Sequence, residues 1–190
     1  MNTQTQQTVE QGIKRFTKLT RNAASATLGL TLVALGLLIA APRANAATTL
    51  SAPDKDFILA AAQGGMTEVK LGELAVKNGV RDDVKKFGQK MVKDHTAINE
   101  DLKALAALKE VTLPESLDAK HQGMVDKMSA LPSSQFDDAY IAGMVKGHKK
   151  DAKAFKAESA ETTDADIKAF LDKSIPVVEA HLKHITAMQK

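Results

Sequence analysis

Four side chains in this 190-residue chain have the chemistry of metal ligands or proton carriers and stand at the same kind of position: Glu68, His95, His148 and His181. Each falls on the apolar stripe of a separate amphipathic segment. A carboxylate or imidazole turned toward a core costs free energy unless it is hydrogen-bonded, paired or bound. Four of them at similar depth point to one shared polar site. Imidazole nitrogen and carboxylate oxygen together suit a first-row transition metal, with copper, zinc or iron as the candidates. A metal-free polar network is the competing reading, with Asp94, Glu179 or Glu68 satisfying the histidines. Stripes that do not converge are a third.

Sulfur and further nitrogen lie close by in sequence. Met91 stands four residues before His95, Met144 four before His148 and Met188 four after His184, so each pair shares a helix face. Thioether with imidazole favours copper(I), although Met on an apolar stripe is usually core filler. His181 and His184, three apart, can chelate together or face water, and His121 is expected at the surface. Lys146, Lys149, Lys150, Lys153 and Lys156 form a basic run. Such a run is commonly a solvated helix face, with docking on anionic lipid as the functional alternative.

The elements that must carry these residues are all helical. The first helix is expected over residues 53–78, with Ser51 as cap, Pro53 in the first turn and the stripe Phe57, Ala61, Gly65, Glu68, Gly72, Ala75. Asn78-Gly79 ends it. The second, from about 81 to 109, has the stripe Val84, Phe87, Met91, His95, Ile98, Leu102, Leu105, whose spacings of three and four are the helical period. A short helix over 117–130, capped by Ser116, precedes a third long one from 133 or 134 to 161 with the stripe Phe136, Tyr140, Met144, His148, Ala152, Phe155. The fourth, capped by Thr163 or Asp164, carries Ile167, Leu171, Ser174, Val178, His181, Ile185 and Met188, with Pro176 expected to kink it. No segment alternates like a strand. Two tight turns imply two antiparallel hairpins, and the short helix lies in the crossover between helices two and three. Counted from the turns, the ligands of each hairpin differ in height by roughly 6 Å. The crossover, whose path the sequence does not fix, sets how one hairpin aligns with the other.

Residues 1–46 have the pattern of an export signal. Lys14, Arg15, Lys18 and Arg21 precede an apolar run over 23–41, and Ala44-Asn45-Ala46 fits a signal peptidase site. An uncleaved anchor is the alternative. Residues 47–190 then form one bundle domain. The whole chain has 26 basic and 23 acidic residues; the leader holds five and one of these, leaving 21 and 22 and a net charge of −1. The basic character belongs to the leader and gives no reason to expect a nucleic-acid partner. With no cysteine, disulfides and thiolate metal sites are excluded. No further stretch is long and apolar enough for an integral membrane span after cleavage, and nothing in the sequence sets an oligomeric state.

Asp56-Phe57, the Ala-Ala-Gln-Gly-Gly-Met-Thr-Glu stretch ending at Glu68, Met91-Val92-Lys93-Asp94-His95, Phe136-Asp137, Tyr140, His148, Pro176 and His181-Leu182 together resemble the bacterial exported domain-of-unknown-function family 4142, often labelled an outer membrane protein. The resemblance implies a ferritin-like four-helix bundle and no established activity. Di-iron sites of ferritin-like bundles use a Glu on two helices and Glu-x-x-His on the other two. Here Val92, Val145 and Val178 stand three positions before the three histidines, so the di-iron pattern is not met. The first expectation is a non-enzymatic, exported helical bundle, periplasmic or held at the outer membrane, that serves envelope homeostasis or stress tolerance and binds a transition metal through the His/Glu cluster. A metal-dependent oxidoreductase or peroxide-handling enzyme is the second. An envelope module docking on lipid or protein is the third.

Overall fold

The structure, a computed structural model, describes residues 50–189. The expected leader lies outside them. The described residues form five helices and no strand: α1 (Ala52–Asn78), α2 (Asp82–Leu108), α3 (Ala119–Ser129), α4 (Ser133–Glu161) and α5 (Ala165–Ala187). No helix among them is long and apolar enough to cross a membrane.

Local chemistry sets the helix ends. The Asp54 amide donates to the Ser51 hydroxyl at 3.1 Å, and Pro53 sits in the first turn of α1. Asp164, one of the two expected caps, accepts from the Asp166 and Ile167 amides at the start of α5. Arg81 at the head of α2 makes no side-chain cap of its own. Asp137 on α4 provides that function from a distance: its carboxylate accepts from the Val80 and Arg81 amides at 3.0 and 2.7 Å. The chain leaves α2 through Glu110 at φ 57°, a left-handed residue of the kind that terminates helices.

α1 packs on α2, α2 on α5, α5 on α4 and α4 on α1, while α3 rests against α1 and α4. α1 and α2 run antiparallel, since Gly72 faces Gly88 across their contact and Gly65 faces Asn99. The buried apolar residues divide into two clusters. One, toward the α1–α2 turn, contains Leu71, Phe87, Met91, Tyr140, Met144 and Ile185. The other contains Ile58, Leu102, Leu105, Ile167, Phe170 and Leu171. Between them in sequence on every long helix comes one of the four polar residues named above, so the polar belt lies between two apolar layers.

Three expectations need correction. α3 begins at Ala119 with Asp118 as its cap, not at 117 with Ser116. The reason is Gln63, whose side chain donates to the Ser116 carbonyl at 3.0 Å and accepts from the Asp118 amide at 2.9 Å, holding that stretch extended. Near the start of α1 the most buried positions are Ile58 and Ala62, one residue on from Phe57 and Ala61. Phe57 is half-buried instead, edge-on to Phe155 at 5.3 Å. His121 is half-buried rather than fully at the surface, with Nδ1 2.8 Å from Asp118. α5 runs through Pro176 as one helix.

Candidate metal centre

His95, His148 and His181 come together. Each offers a ring nitrogen that lies within 4.8 Å of those of the other two. Ring centroids are 5.7 Å apart for His95 and His148, 5.3 Å for His95 and His181, and 5.5 Å for His148 and His181. All three are buried, His181 completely. α2, α4 and α5 contribute one each, because in each helix the histidine occupies the stripe position where an aliphatic residue would otherwise enter the core. Glu68 of α1 is buried beside them, with Oε1 4.0 Å from His148 Nδ1, beyond hydrogen-bond range. His184 is exposed and is not in the three-histidine group; its ring lies edge-on to Phe87 with centroids 5.2 Å apart.

Hydrogen bonding fixes two of the three tautomers. His148 Nδ1 lies 3.0 Å from the Met144 carbonyl, which can only accept, so Nδ1 carries the proton and Nε2 the lone pair. His181 Nε2 donates to Asp94 at 2.8 Å, leaving the lone pair on Nδ1. Asp94 is one of the partners foreseen for a histidine; Glu179 pairs with Lys156. The nitrogens left over, His148 Nε2, His181 Nδ1 and His95 Nε2, are buried with no hydrogen-bond partner, and so is Glu68 Oε2. A metal-ligating histidine commonly donates its second ring N–H to a carboxylate or carbonyl, which orients the ring. His148 and His181 have that arrangement.

Electrostatics keeps the cluster neutral and available. Burial, with the neighbouring imidazoles adding to it, pushes His95 down to about 3. Burial and His181 push His148 down to about 4. Burial also lowers His181, against the pull of Asp94. Burial works to raise Asp94, but Lys90 at 2.5 Å and His181 outweigh it and hold the carboxyl below its usual range. Glu68 moves the other way: burial, with the charge of Asp151 in support, raises it to about 8. Among the described residues no cation offsets that burial. The Tyr140 hydroxyl, also buried without a partner, is pushed up by burial and by Glu68.

The arrangement is three neutral imidazoles with ring nitrogens within 4.8 Å of one another, two of them braced from behind, with the Glu68 carboxyl buried alongside but outside that group. Chemically it can take a cation. The donor set suits zinc, copper(II), iron or nickel. Bonds of about 2.0–2.1 Å imply ligand separations near 3.4 Å in a tetrahedral site, inside the 4.8 Å that bounds the cluster. Met91 and Met144 are fully buried one helical turn before His95 and His148, in the adjoining apolar layer.

A cavity of about 500 Å³ reaches the same region, with Glu68 and His95 among its lining residues. Sequence reasoning missed it, as it missed the Asp137 cap and the orphaned Tyr140 hydroxyl. Gly64, Gly65 and Gly147 in its wall are the available signal: a Cβ at Gly147 would approach Glu68 Oε1 to 3.4 Å.

Fold and site together define an all-helical protein with three histidines clustered in its interior. The chain belongs to the family described as Domain of unknown function (DUF4142), whose pattern matches residues 40–188. Among solved structures it is similar to the crystal structure of a DUF305 fragment from Deinococcus radiodurans, at 10% identity and a TM-score of 0.64, over 73% of this chain and 96% of that one. At that identity the likeness is one of fold alone. No curated protein matches the chain.

Proposed function

We propose that this protein is an exported, ferritin-like four-helix bundle that holds one transition-metal ion through His95, His148 and His181, with Glu68 as a fourth ligand or a neighbouring counter-charge. The observation that carries the reading is that each of the three buried histidines offers a ring nitrogen within 4.8 Å of those of the other two, while His95 Nε2, His148 Nε2 and His181 Nδ1 are buried with no hydrogen-bond partner among the described residues. Each unsatisfied buried polar atom costs about 1–3 kcal/mol. A metal-free network would relieve that cost by bonding these atoms to one another or to protein donors, and the hydrogen bonds of the cluster run outward, to Met144 and Asp94, instead. A cation at the centre satisfies all three at once.

The four long helices, packed in the cyclic order α1, α2, α5, α4, support the bundle reading. The leader pattern supports export to the periplasm, where a metal-holding bundle would serve metal handling or stress tolerance in the envelope. Zinc, copper and iron are the ions to test. Native mass spectrometry of the chelator-treated protein, titrated with each, is expected to give one ion per chain. His95→Ala with His148→Ala should abolish uptake. Identical masses with and without metal would end the reading.

A further inference from the structure

The cavity beside the polar belt is lined by residues of all five helices and measures about 500 Å³, within the roughly 300–1,000 Å³ typical of small-molecule sites. Most of its wall is apolar. Phe57, Phe155 and Phe170 form an aromatic run in it, with centroids 5.3 Å apart for the first pair and 6.3 Å for the second. Its buried polar side chains are Thr67, Glu68 and His95; Thr67 donates to the Gln63 carbonyl at 2.7 Å, whereas Glu68 Oε2 and His95 Nε2 have no partner among the described residues. The lysines that border it, Lys120 and Lys150, are exposed.

We propose that this cavity binds a primary amine carried on a short aromatic body, with the ammonium head between Glu68 and His95 and the ring among the phenylalanines. A hydrocarbon alone would leave both polar groups unpaired. A carboxylate head would add negative charge beside Asp151 and Glu68, both in the cavity wall, with no buried lysine or arginine among the described residues to meet it. An ammonium supplies three N–H donors and the positive charge that the buried Glu68 lacks, and a two-carbon link lets the ring stack in the aromatic run. The amine site stands without the metal. Where both ions bind they share His95, so each weakens the other by the same factor.

Isothermal titration of the chelator-treated protein with 2-phenylethylammonium chloride tests this, with 3-phenylpropanoate as the anion of similar shape. One amine per chain is expected, bound at least tenfold more tightly than the anion. Gly64→Leu fills the cavity wall at a position where a Cβ meets nothing within 4 Å, and it should weaken the amine tenfold or more. Glu68→Gln should do the same. No saturable amine binding, equal binding of amine and anion, or binding that both variants leave unchanged would overturn the proposal. The amine–anion comparison uses the natural chain, so it holds even if a variant misfolds. Metal titration without amine is a separate measurement, and its failure would leave this result standing.

Discussion

At the level of single residues, the cluster depends on imidazoles that stay neutral in acid. His95 at about 3 and His148 at about 4 lie well below the 6.5 of free histidine. The sign follows directly. Between those values and 6.5 the unfolded chain binds protons that the native chain refuses, so the stability tied to these histidines is complete above 6.5 and is lost as pH falls toward 4. Metal competes with protons only where the native imidazoles accept them. Occupancy of the loaded protein, followed by native mass spectrometry alongside circular dichroism, should therefore stay level from pH 7.5 to about 5 and fall near pH 4 together with the fold. A loss centred near 6.5 with the helices intact would mean that the ligands are ordinary exposed histidines. The stripe position of all four polar residues was legible in the sequence, because a spacing of three or four to Gly65, Met91, Met144 or Val178 puts them on the buried face. The bracing of His181 by Asp94 was legible only as one of several options, since Asp94 and His181 are 87 residues apart and only packing of α2 on α5 joins them.

At the level of elements, the close approach of α1 to α2 brings the helix of Glu68 beside the helix of His95. It depends on two glycines. A Cβ on Gly88 would lie 2.7 Å from the Gly72 carbonyl oxygen and 2.8 Å from the Ala75 Cβ, neither of which can rotate away. Gly88→Ala should destabilise the protein by about 1–3 kcal/mol, outweighing the roughly 1 kcal/mol gained in helix propensity. Gly64 is the contrast, with open space around its Cβ, and Gly64→Ala should stabilise by about 1 kcal/mol. Denaturant melts of the two variants should move in opposite directions; equal shifts would show that helix contact does not govern the Gly88 position. Helix number and order, the stripes of α2, α4 and α5 and the later part of that of α1 could be read from periodicity. The start of α1 was misplaced by one residue because Phe57, the largest apolar side chain there, looked like core, whereas it borders the cavity. The Asp137 cap escaped because capping signals are sought within a few residues of a helix end, and this one comes from another helix.

At the level of the whole molecule, the polar belt separates two apolar layers, so an ion held by His95, His148 and His181 would tie α2, α4 and α5 together. A ligand that binds only the native state stabilises by about 2.7 kcal/mol at a hundredfold excess over its Kd, which for a domain of this size is a rise in Tm of roughly 8 °C. Scanning calorimetry with and without zinc should show such a rise in the natural chain and none in His95→Ala combined with His148→Ala. An equal rise in both would place the metal elsewhere. The alignment of the two hairpins, which decides whether the cluster exists at all, was not legible. It is set by the path of residues 109–132, where the clamp from Gln63 and the packing of α3 on α1 and α4 depend on contacts remote in sequence.

The most direct test of the cluster is the X-ray absorption fine structure of the protein loaded with one equivalent of zinc. Three imidazole nitrogens at about 2.0–2.1 Å are expected, one of them lost in His148→Ala. A shell made only of oxygen, or one that His148→Ala leaves unchanged, would contradict the assignment of His95, His148 and His181 as the metal's ligands.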